Sequence, residues 1–274
     1  MSTPFNERAD AMERAFPPTA LHPRDRVLAT VSHELRQPLS VIQMHAEQLT
    51  RLSMSIEYPA VARVGDMIKR AVQSQGRIID DLLDLSRVRT GKLVLDRTAV
   101  DLGDVFTMLA AAYTSEARGR LPAIELVITH SSTCFGDRTR IEQVLGNLLR
   151  NAIRFTPRHG RIRIDICRDG LFCKASVTDN GCGIPADFLP HVFGMFNQGA
   201  PHAGSAHGGL GIGLALVQEI TQAHGGRVEA LSDGPGRGAS FTVWLPAFED
   251  AGTERGTSIA RGTIVPDDTR RMDS

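Results

Sequence analysis

The sequence predicts a multi-domain protein, in which an all-α helical hairpin that forms a dimeric four-helix bundle is followed by an α/β two-layer sandwich. Two patterns support this prediction. Apolar residues recur every seven positions in two stretches near the N-terminus, which is typical of helices packed in a bundle. Further along, short segments with alternating apolar and polar residues flank a long helical segment, as expected of a sheet packed against helices.

The composition is that of an ordinary globular protein. Of the 274 residues, 42% are hydrophobic and 23% are charged, and the formal net charge is zero. This balance gives no indication of binding to nucleic acid. No apolar run approaches the roughly 20 residues needed to cross a bilayer, and the N-terminus lacks the apolar core of a signal peptide. The four cysteines stand singly, which favours buried or incidental thiols over disulfides or a zinc site. We therefore expect a cytoplasmic protein without direct membrane insertion.

Changes in residue pattern divide the chain into five parts. The predicted parts are a flexible tail over 1–22, the helical hairpin over 23–91, an extended linker over 92–102, the α/β domain over 103–247 and a disordered tail over 248–274. The last part is rich in Gly, Thr, Asp and Arg, with only scattered apolar residues, and such a composition cannot bury a core. Only about 22 residues precede the hairpin, too few for a sensory domain. We therefore expect a separate sensory partner or a longer parent chain.

The seven-residue repeat defines both helices of the hairpin. One row of the first helix consists of Leu28, Leu35, Ile42 and Leu49. The second helix has two rows, which consist of Val61, Ile68, Gln75 and Leu82, and of Val64, Ala71, Ile78 and Leu85. The helices are separated only by 51–59, so they should pack antiparallel. Because one hairpin of this length cannot cover both of its seams, we predict a homodimer.

Beyond the linker, periodicity predicts alternating helices and strands. The helices are 103–118, 137–155 and 214–224, and the strands are 124–129, 161–167, 171–179, 227–232 and 239–245. The second and third strands are separated by Arg168-Asp169-Gly170, which is typical of a tight hairpin turn. On the third strand, one face carries Leu171, Cys173, Ala175, Val177 and Asp179.

His33 takes the heptad position most remote from the bundle interior. A histidine there is ordinarily a solvated surface residue, but its neighbours indicate more. The segment around it reads Val31-Ser32-His33-Glu34-Leu35-Arg36-Gln37-Pro38-Leu39. It resembles the H-box of histidine kinases, in which an exposed histidine is followed by an acid and then by x-x-x-Pro-Leu.

The resemblance implies that His33 is the residue that accepts a phosphoryl group. Glu34 can accept the second N–H of the imidazole and so orient the ring for attack. Gln37 stands where the family usually has Thr or Asn to position water for dephosphorylating its partner, and its side chain is one methylene longer than that of Asn. Pro38 removes a helical hydrogen bond to the Glu34 carbonyl and should bend the helix.

Three polar residues form a stripe on the long helix 137–155. Asn147, Asn151 and Arg154 are spaced at i, i+4 and i+7, opposite an apolar side. Such a stripe is either a solvated face or a source of amide oxygens for a Mg²⁺ ion that bridges phosphates. The segment 147–157 resembles the N-box of the histidine kinases. The resemblance implies that Asn151 is the leading Mg²⁺ ligand, that Asn147 assists it, and that Arg154 contacts phosphate where Lys is usual.

Asp179 continues the apolar alternation of its strand, so its carboxylate should point inward. A buried carboxylate needs a hydrogen-bond donor, and the amino group of adenine can be one. Gly181 and Gly183 would let the backbone pass close to the base. Asp-x-Gly-x-Gly alone is a weak turn signal, but after the asparagine helix it resembles the G1 box of the kinases, in which the aspartate reads adenine.

Two later segments complete the predicted nucleotide site. The segment with Phe193 and Phe196 resembles the F-box and should anchor a flexible flap over 199–208. Gly209, Gly211 and Gly213 lead into the helix 214–224 and should aim backbone N–H groups at phosphate oxygens. They come too late in the chain for a dinucleotide-binding turn and resemble the G2 box, with Leu210 where Thr or Ser is common.

These boxes follow the family order across about 24–246, and the chain is identified as a member of the sensor histidine kinases. The resemblance implies ATP as substrate, Mg²⁺, autophosphorylation of His33, and transfer to an aspartate in the receiver domain of a response regulator on another chain. Two alternatives are a scaffold without turnover and a gyrase-like ATP hydrolase. The hydrolases place a glutamate base where this chain has Asn147, which argues against the second alternative.

Overall fold

The computed structural model describes residues 39–40, 42–49, 51, 59–117, 122–129, 132–197, 211–248 and 259–264. They belong to two compact units, Met1–Leu93 and Val94–Ser274. The predicted order, helices followed by an α/β sheet domain, is confirmed. The predicted tail over 1–22 lies outside the described residues. No helix in the described part of the chain is long and apolar enough to span a membrane.

The first unit contains two helical segments. Residues 39–40, 42–49 and 51 are helical and are called α1, and α2 runs over Pro59–Arg89. Helix α2 ends as the sequence predicts, because Gly91 follows it and the amide of Lys92 donates to the carbonyl of Arg87 at 2.9 Å. Two arginines in its last turn, Arg87 and Arg89, complement the negative end of the helix dipole.

The buried side of α2 differs from the predicted rows. Val72 and Ile79, seven residues apart, are buried, whereas Val61 and Val64 of the predicted rows are 39% and 52% exposed. Of the second predicted row, only Leu85 is fully buried. Four of the eight residues in the predicted rows (Val61, Val64, Ala71 and Gln75) are exposed in one chain, and three are half-buried.

The second unit is a two-layer α/β sandwich. Its helices are α3 (Leu102–Ala117), α4 (Arg138–Phe155) and α5 (Gly213–Ala223). Its strands are β1 (Thr98–Asp101), β2 (Ala123–Thr129), β3 (Thr133–Gly136), β4 (Arg161–Asp169), β5 (Phe172–Asp179), β6 (Arg227–Leu231), β7 (Ala239–Pro246) and β8 (Ile259–Ile264). A single 3₁₀ turn, Leu189–His191, lies within the described residues between β5 and α5.

Six strands form the main sheet in the order β6-β7-β5-β4-β2-β8. The pair β2–β4 is parallel and the other neighbours are antiparallel. One face of the central strands is fully buried, and Ile164 lies opposite Val177 there. Helix α4 covers this face with its own buried row, which includes Ile141, Leu145 and Leu148. The sequence pattern of alternating residues in β4 and β5 therefore reports the buried face correctly.

The turn between β4 and β5 lies later than predicted. β4 continues through Asp169, which pairs with Phe172, so the turn residues are Gly170 and Leu171. Gly170 has φ = +59°, a conformation that glycine adopts without strain. As a consequence Leu171 is 70% exposed, and the prediction that it points inward with Cys173 is wrong.

The predicted linker over 92–102 is only partly a linker. Thr98–Asp101 forms β1, which pairs antiparallel with β3 in a separate two-stranded sheet, and Leu102 already begins α3. The side chain of Asp101 accepts hydrogen bonds from the amides of Gly103 (2.7 Å) and Asp104 (3.1 Å) and so caps α3. Strands of four residues are too short to show a period, which is why the sequence analysis missed both β1 and β3.

The predicted disordered tail over 248–274 contains a strand. Ile259–Ile264 forms β8, which lies antiparallel to β2 with Ile264 opposite Ile124 and Ile259 opposite Thr129. The prediction of disorder is therefore wrong for these six residues. The prediction of disorder rested on the average composition of the tail, which does not show that a six-residue segment can pair with a sheet. The outer edge of β2 has unpaired N–H and C=O groups, and β8 forms hydrogen bonds with them.

Candidate nucleotide-binding site

The polar stripe of α4 runs from a buried to an exposed position. Asp137 caps the start of the helix, and its carboxylate accepts a hydrogen bond from the amide of Arg140 at 3.1 Å. Asn147 is buried, Asn151 is half-buried and Arg154 is exposed, with its guanidinium carbon 5.0 Å from the centre of the Phe155 ring. The stripe thus offers amide groups at its inner end and a cation at the surface.

The amide of Asn147 is held on one side only. Its Oδ1 accepts a hydrogen bond from Nη2 of Arg150, one turn further along α4. Its Nδ2 is buried and has no hydrogen-bond partner among the described residues. The amide lies against the start of α5, because a Cβ built on Gly213 would stand 3.4 Å from Asn147 Oδ1. The fold therefore brings together two of the predicted segments, the asparagine helix and the last of the glycines.

Asp179 ends β5 with its side chain buried, as the alternation predicts. In the sheet it lies between Ile162 of β4 and Ala239 of β7. Its Oδ1 accepts a hydrogen bond from the amide of Gly181 at 2.8 Å. Burial raises the pKa of the carboxyl above its usual value, and the amides of Gly181 and Ala239 partly oppose that shift by stabilising the anion. An ionised carboxylate can accept more hydrogen bonds than these two, so an incoming ligand can donate to Asp179 as well.

The loop after Asp179 packs directly against the end of α4. The amide of Cys182 donates to the carbonyl of Phe155 at 3.1 Å, and a Cβ on Gly181 would collide with that same carbonyl oxygen. Gly183 has φ = +68°, and a Cβ there would collide with the carbonyl oxygen of Gly234. Glycine at both positions is therefore required by close backbone approach, and the loop joins the Asp179 strand to the asparagine helix.

A second loop, 232–238, supports the first. The amide of Gly236 donates to the carbonyl of Cys182 at 2.7 Å, and the amide of Gly238 donates to that of Gly181 at 3.2 Å. Ser232 Oγ accepts from the amide of Ile184 at 2.9 Å and donates to the carbonyl of Gly238 at 2.6 Å. These bonds hold the predicted adenine loop in one conformation between two neighbouring segments.

The two predicted aromatic anchors differ in role. Phe193 packs edge-on against Phe241 of β7, with ring centres 6.3 Å apart. Phe196 is 56% exposed, and its backbone amide donates to the carbonyl of Gly211 at 3.1 Å. Phe193 therefore anchors this segment through its ring, whereas Phe196 does so through its backbone.

Several predicted site residues lie outside the described residues. These are His33, Glu34 and Gln37 of the hairpin, the flap over 199–208, and Gly209. The described members of the predicted nucleotide site are Asn147, Asn151, Arg154, Asp179, Gly181, Gly183, Phe193, Phe196, Gly211 and Gly213. All of them belong to the second unit.

Sequence analysis assigned no role to His224, which joins two helices of the site. The imidazole is buried at the end of α5. Its Nε2 lies 3.0 Å from the amide of Asp137, which can only donate, and its Nδ1 lies 2.9 Å from the carbonyl of Ile220, which can only accept. The ring is therefore neutral with its proton on Nδ1. Its partner Asp137 is 87 residues away, so no local pattern could have indicated the contact.

The charges around His224 come from the start of the second unit and from α4. Burial lowers the pKa of His224 below its ordinary 6.5, Arg97 lowers it further, and the Ile220 carbonyl and the Asp137 carboxylate partly oppose the shift. Arg97 also donates to the carbonyl of Ala223 at 2.8 Å, and the amide of Asp96 donates to Asp137 Oδ2 at 3.1 Å. The chain before β1 is thus tied to the start of α4 and the end of α5.

The neutral imidazole predicts a pH-dependent stability. Because the pKa of His224 is lower in the folded than in the unfolded state, the unfolded chain binds more protons once the pH falls below about 6.5. We expect the free energy of unfolding to fall as the pH is lowered from 7 to 5, by up to roughly 1.4 kcal/mol per pH unit from this group, and the thermal unfolding midpoint to fall with it. Replacing His224→Gln should lower stability at pH 7 and flatten this slope. The exposed His159→Gln should keep the original slope, and an equally steep slope in His224→Gln would contradict the assignment.

Two protein families match the chain. Residues 23–91 match the His Kinase A (phospho-acceptor) domain, and residues 136–249 match the histidine kinase-, DNA gyrase B- and HSP90-like ATPase. Among relatives, the alginate biosynthesis sensor protein KinB of Pseudomonas aeruginosa is 34% identical over 227 residues, which are 81% of this chain and 37% of KinB. The signal transduction histidine-protein kinase BaeS of Escherichia coli (strain K12) is 30% identical over 246 residues, 90% of this chain and 50% of BaeS.

Solved structures agree with these relatives. Full-length ShkA in complex with AMPPNP is 26% identical and superimposes with a TM-score of 0.65 over 81% of this chain and 45% of ShkA. The Acinetobacter baumannii histidine kinase AdeS, at 24% identity and a TM-score of 0.56, shares the fold over 79% of this chain and 98% of AdeS.

The fold and the site define a protein that joins a phosphoacceptor helical domain to a gyrase-type ATP-binding domain. The chain belongs to the sensor histidine kinases. It spans about half or less of the length of KinB and BaeS.

Proposed function

We propose that this chain uses ATP to phosphorylate its own His33 and then passes the phosphoryl group to an aspartate in the receiver domain of a response regulator on another chain. One observation carries the proposal. The loop that follows the buried Asp179 packs against the end of α4, and the half-paired amide of Asn147 on the same helix lies against the first turn of α5 at Gly213. This arrangement supplies an acceptor for a base and donors for phosphates, as a nucleotide requires.

Within this site, each end of ATP has a matching group. The exocyclic amine of adenine would donate to the Asp179 carboxylate, which already accepts from the amide of Gly181 and has capacity for further donors. The phosphates would lie at the start of α5, where backbone N–H groups and the helix dipole favour anions. Arg154 at the surface would contribute a positive charge to them.

The residues present also fit Mg²⁺. Asn151 is half-buried and offers an amide oxygen, a ligand type suited to this hard cation. In the described part of the chain no three His, Cys, Asp or Glu side chains cluster to hold a metal ion, so nucleotide phosphates and water would supply the remaining ligands. When bound there, Mg²⁺ neutralises charge on the phosphates. With only Asn151 and the assisting Asn147 as protein ligands, metal binding would depend on the nucleotide.

The side chains of the protein would promote the transfer mainly by aligning His33 with the γ-phosphate of ATP. A ring nitrogen of His33 attacks the γ-phosphorus, the bond from that phosphorus to the β–γ bridging oxygen breaks, and ADP leaves with the electron pair. Glu34 accepts the proton of the other ring nitrogen and holds the ring in line. Asn147 stands where a hydrolase would need a general base, and its amide cannot activate water. ATP would therefore be held until the histidine arrives. Gln37 would hold the water that removes the phosphoryl group from the partner regulator.

The exposed apolar side chains of the first unit support a homodimer. Six large ones are between 39% and 62% exposed within one chain, and these are Ile42, Met44, Leu49, Val61, Val64 and Met67. Their burial in a second copy would form the four-helix bundle. We place the reaction in the cytoplasm because it consumes ATP, and we assign signal input to a separate sensory partner or to further parts of the parent chain.

A single labelling experiment separates this function from the two alternatives. The chain is incubated with Mg²⁺ and γ-labelled ATP, and the label on protein and in free phosphate is measured after acid and after base treatment. We expect label on the protein that is lost in acid and retained in base, as for phosphohistidine. Released phosphate without protein label would indicate a hydrolase, and neither product would indicate a scaffold, so both outcomes would contradict the proposal.

A further inference from the structure

The hydroxyl of Ser232 joins two loops beside Asp179. It donates a hydrogen bond to the carbonyl of Gly238 at 2.6 Å and accepts one from the amide of Ile184 at 2.9 Å. The amide of Gly234 donates to the same oxygen at 3.4 Å. A serine hydroxyl has one donor site and two acceptor sites, so these three contacts use all of them. The hydroxyl therefore has no capacity left for a ligand and can act on one only through the loops.

A chain of hydrogen bonds leads from this hydroxyl to the Asp179 carboxylate. The amide of Gly238, whose carbonyl Ser232 holds, donates to the carbonyl of Gly181 at 3.2 Å. The amide of Gly181 in turn donates to Asp179 Oδ1 at 2.8 Å. Hydrogen bonds linked in this way polarise one another and strengthen the whole chain. The position of the Gly181 amide under the carboxylate therefore depends on the contact between Ser232 and Gly238.

The same hydroxyl also fixes a second amide beside Asp179. The carbonyl of Gly238 and the amide of Ala239 belong to one planar peptide group and point in opposite directions. Ser232 holds the carbonyl side of this group. Burial raises the pKa of Asp179, and the amides of Gly181 and Ala239 partly oppose that rise by stabilising the anion. Both amides therefore belong to segments that Ser232 holds in place.

The other bonds between the two loops join backbone groups only. The amide of Gly236 donates to the carbonyl of Cys182 at 2.7 Å, for example. Among the hydrogen bonds of the described residues, those of Ser232 are the ones in which a side chain joins the loop 181–184 to the loop 232–238. A substitution at this position can thus loosen the support of Asp179 without altering a residue that contacts the nucleotide.

We propose that Ser232 is a positioning residue for adenine, whose hydroxyl holds both loops so that the carboxylate of Asp179 keeps its remaining acceptor sites directed at the exocyclic amine. This inference rests on the proposed ATP site and adds to it a residue that does not touch the nucleotide. Loss of the hydroxyl should weaken the contact with the amine and leave the phosphate end of the site unchanged.

The test compares two nucleotides that differ only in the amine. ATP and purine riboside triphosphate, which lacks the exocyclic amine, each displace a fluorescent ATP analogue from the full chain. For Ser232→Ala we expect the affinity for ATP to fall about 3-fold to 10-fold, as for one lost hydrogen bond, and the affinity for the purine nucleotide to change by less than about 2-fold. An equal loss for both nucleotides would indicate a general loosening of the domain and overturn the proposal.

Matched variants separate the hydroxyl from the shape of the side chain. Ser232→Thr keeps the hydroxyl and should bind ATP within about 2-fold of the unaltered chain, whereas Ser232→Val, which has nearly the shape of the threonine variant, should lose as much as Ser232→Ala. Equal affinities of the threonine and valine variants would contradict a role of the hydroxyl. The control is Ser240→Ala, which removes an exposed hydroxyl paired with Thr178 at 2.9 Å and should bind ATP normally. Unfolding midpoints show that each variant is folded.

A double variant tests whether Ser232 acts through Asp179. Adding Ser232→Ala to Asp179→Asn should lower the affinity for ATP by less than about 2-fold beyond the loss in Asp179→Asn alone, because the contact that the serine supports is already gone. If the two losses multiply instead, Ser232 acts on another part of the site and the proposal is wrong.

The outcomes distinguish this inference from the function on which it rests. If the unaltered chain binds ATP and Asp179→Asn weakens that binding, but Ser232→Ala binds ATP as Ser240→Ala does, the positioning role is wrong and the kinase proposal stands. If the unaltered chain binds no ATP, the proposed function fails and this inference fails with it.

Discussion

Replacing His33→Gln should abolish incorporation of label from γ-labelled ATP into the chain, with a loss of at least 100-fold. Glutamine has a similar reach, but its amide nitrogen is not a nucleophile, so no phosphoryl acceptor remains. ATP affinity should be unchanged, because the nucleotide site belongs to the second unit. The measurement is acid-labile label on the protein, together with displacement of a fluorescent ATP analogue.

The matched control for this variant is His45→Gln. His45 is an exposed histidine on α1, and its Nδ1 lies 3.3 Å from Oε1 of Gln48. Its replacement should leave labelling within about 2-fold of the unaltered chain, since surface substitutions of this kind have small effects. Label that persists in His33→Gln, or that disappears equally in both variants, would contradict the assignment of His33 as acceptor.

The second large effect is expected at Asp179. Replacing Asp179→Asn should weaken ATP binding by about 10-fold to 100-fold, because the amide has one acceptor where the carboxylate has two. If the amide oxygen keeps the hydrogen bond from Gly181, its NH₂ faces the amine of adenine, and if the group turns, the NH₂ faces the Gly181 amide. In either orientation two N–H groups face each other, so one of the two hydrogen bonds to this side chain is lost.

The variant should lose affinity without losing stability. Burial raises the pKa of Asp179, so the folded state binds more protons than the unfolded state, and ionisation near neutral pH opposes folding. A neutral amide removes that opposition, so the thermal unfolding midpoint of Asp179→Asn should be equal to or higher than that of the unaltered chain.

The choice of nucleotide tests the adenine contact directly. GTP has a carbonyl where ATP has the amino group, so its affinity should fall less than that of ATP in the Asp179→Asn variant. The control is Asp187→Asn, an exposed carboxylate of the same segment, which should bind ATP normally. Equal losses for ATP and GTP would refute adenine readout by Asp179.

Elements long enough to show several repeats of their apolar pattern were predictable from the sequence. Helix α4 begins after Asp137 and buries Ile141, Leu145 and Leu148 as the pattern indicates. The burial of Asp179 also follows from the alternation of β5. In each case the evidence lies within one segment, because the side that an element buries is written in its own spacing.

Elements that depend on distant partners were not predictable in this way. Strand β3 is recognised only through its pairing with β1, and β8 only through the free edge of β2. The burial of helix α2 was also not predictable from its own sequence. Its apolar rows are plain in the sequence, but which of them the hairpin buries depends on the neighbouring helix, and Val72 and Ile79 lie one position beyond the predicted row.

The order of residues by itself determined the two-part organisation, the segment around His33, the stripe of asparagines and the inward aspartate, because each is a pattern within one element. Only the tertiary structure decided that Asn147 meets the start of α5 and that His224 joins the end of α5 to Asp137. These contacts join residues 66 and 87 positions apart in the chain. Their geometry depends on how whole elements pack, and no local spacing records it.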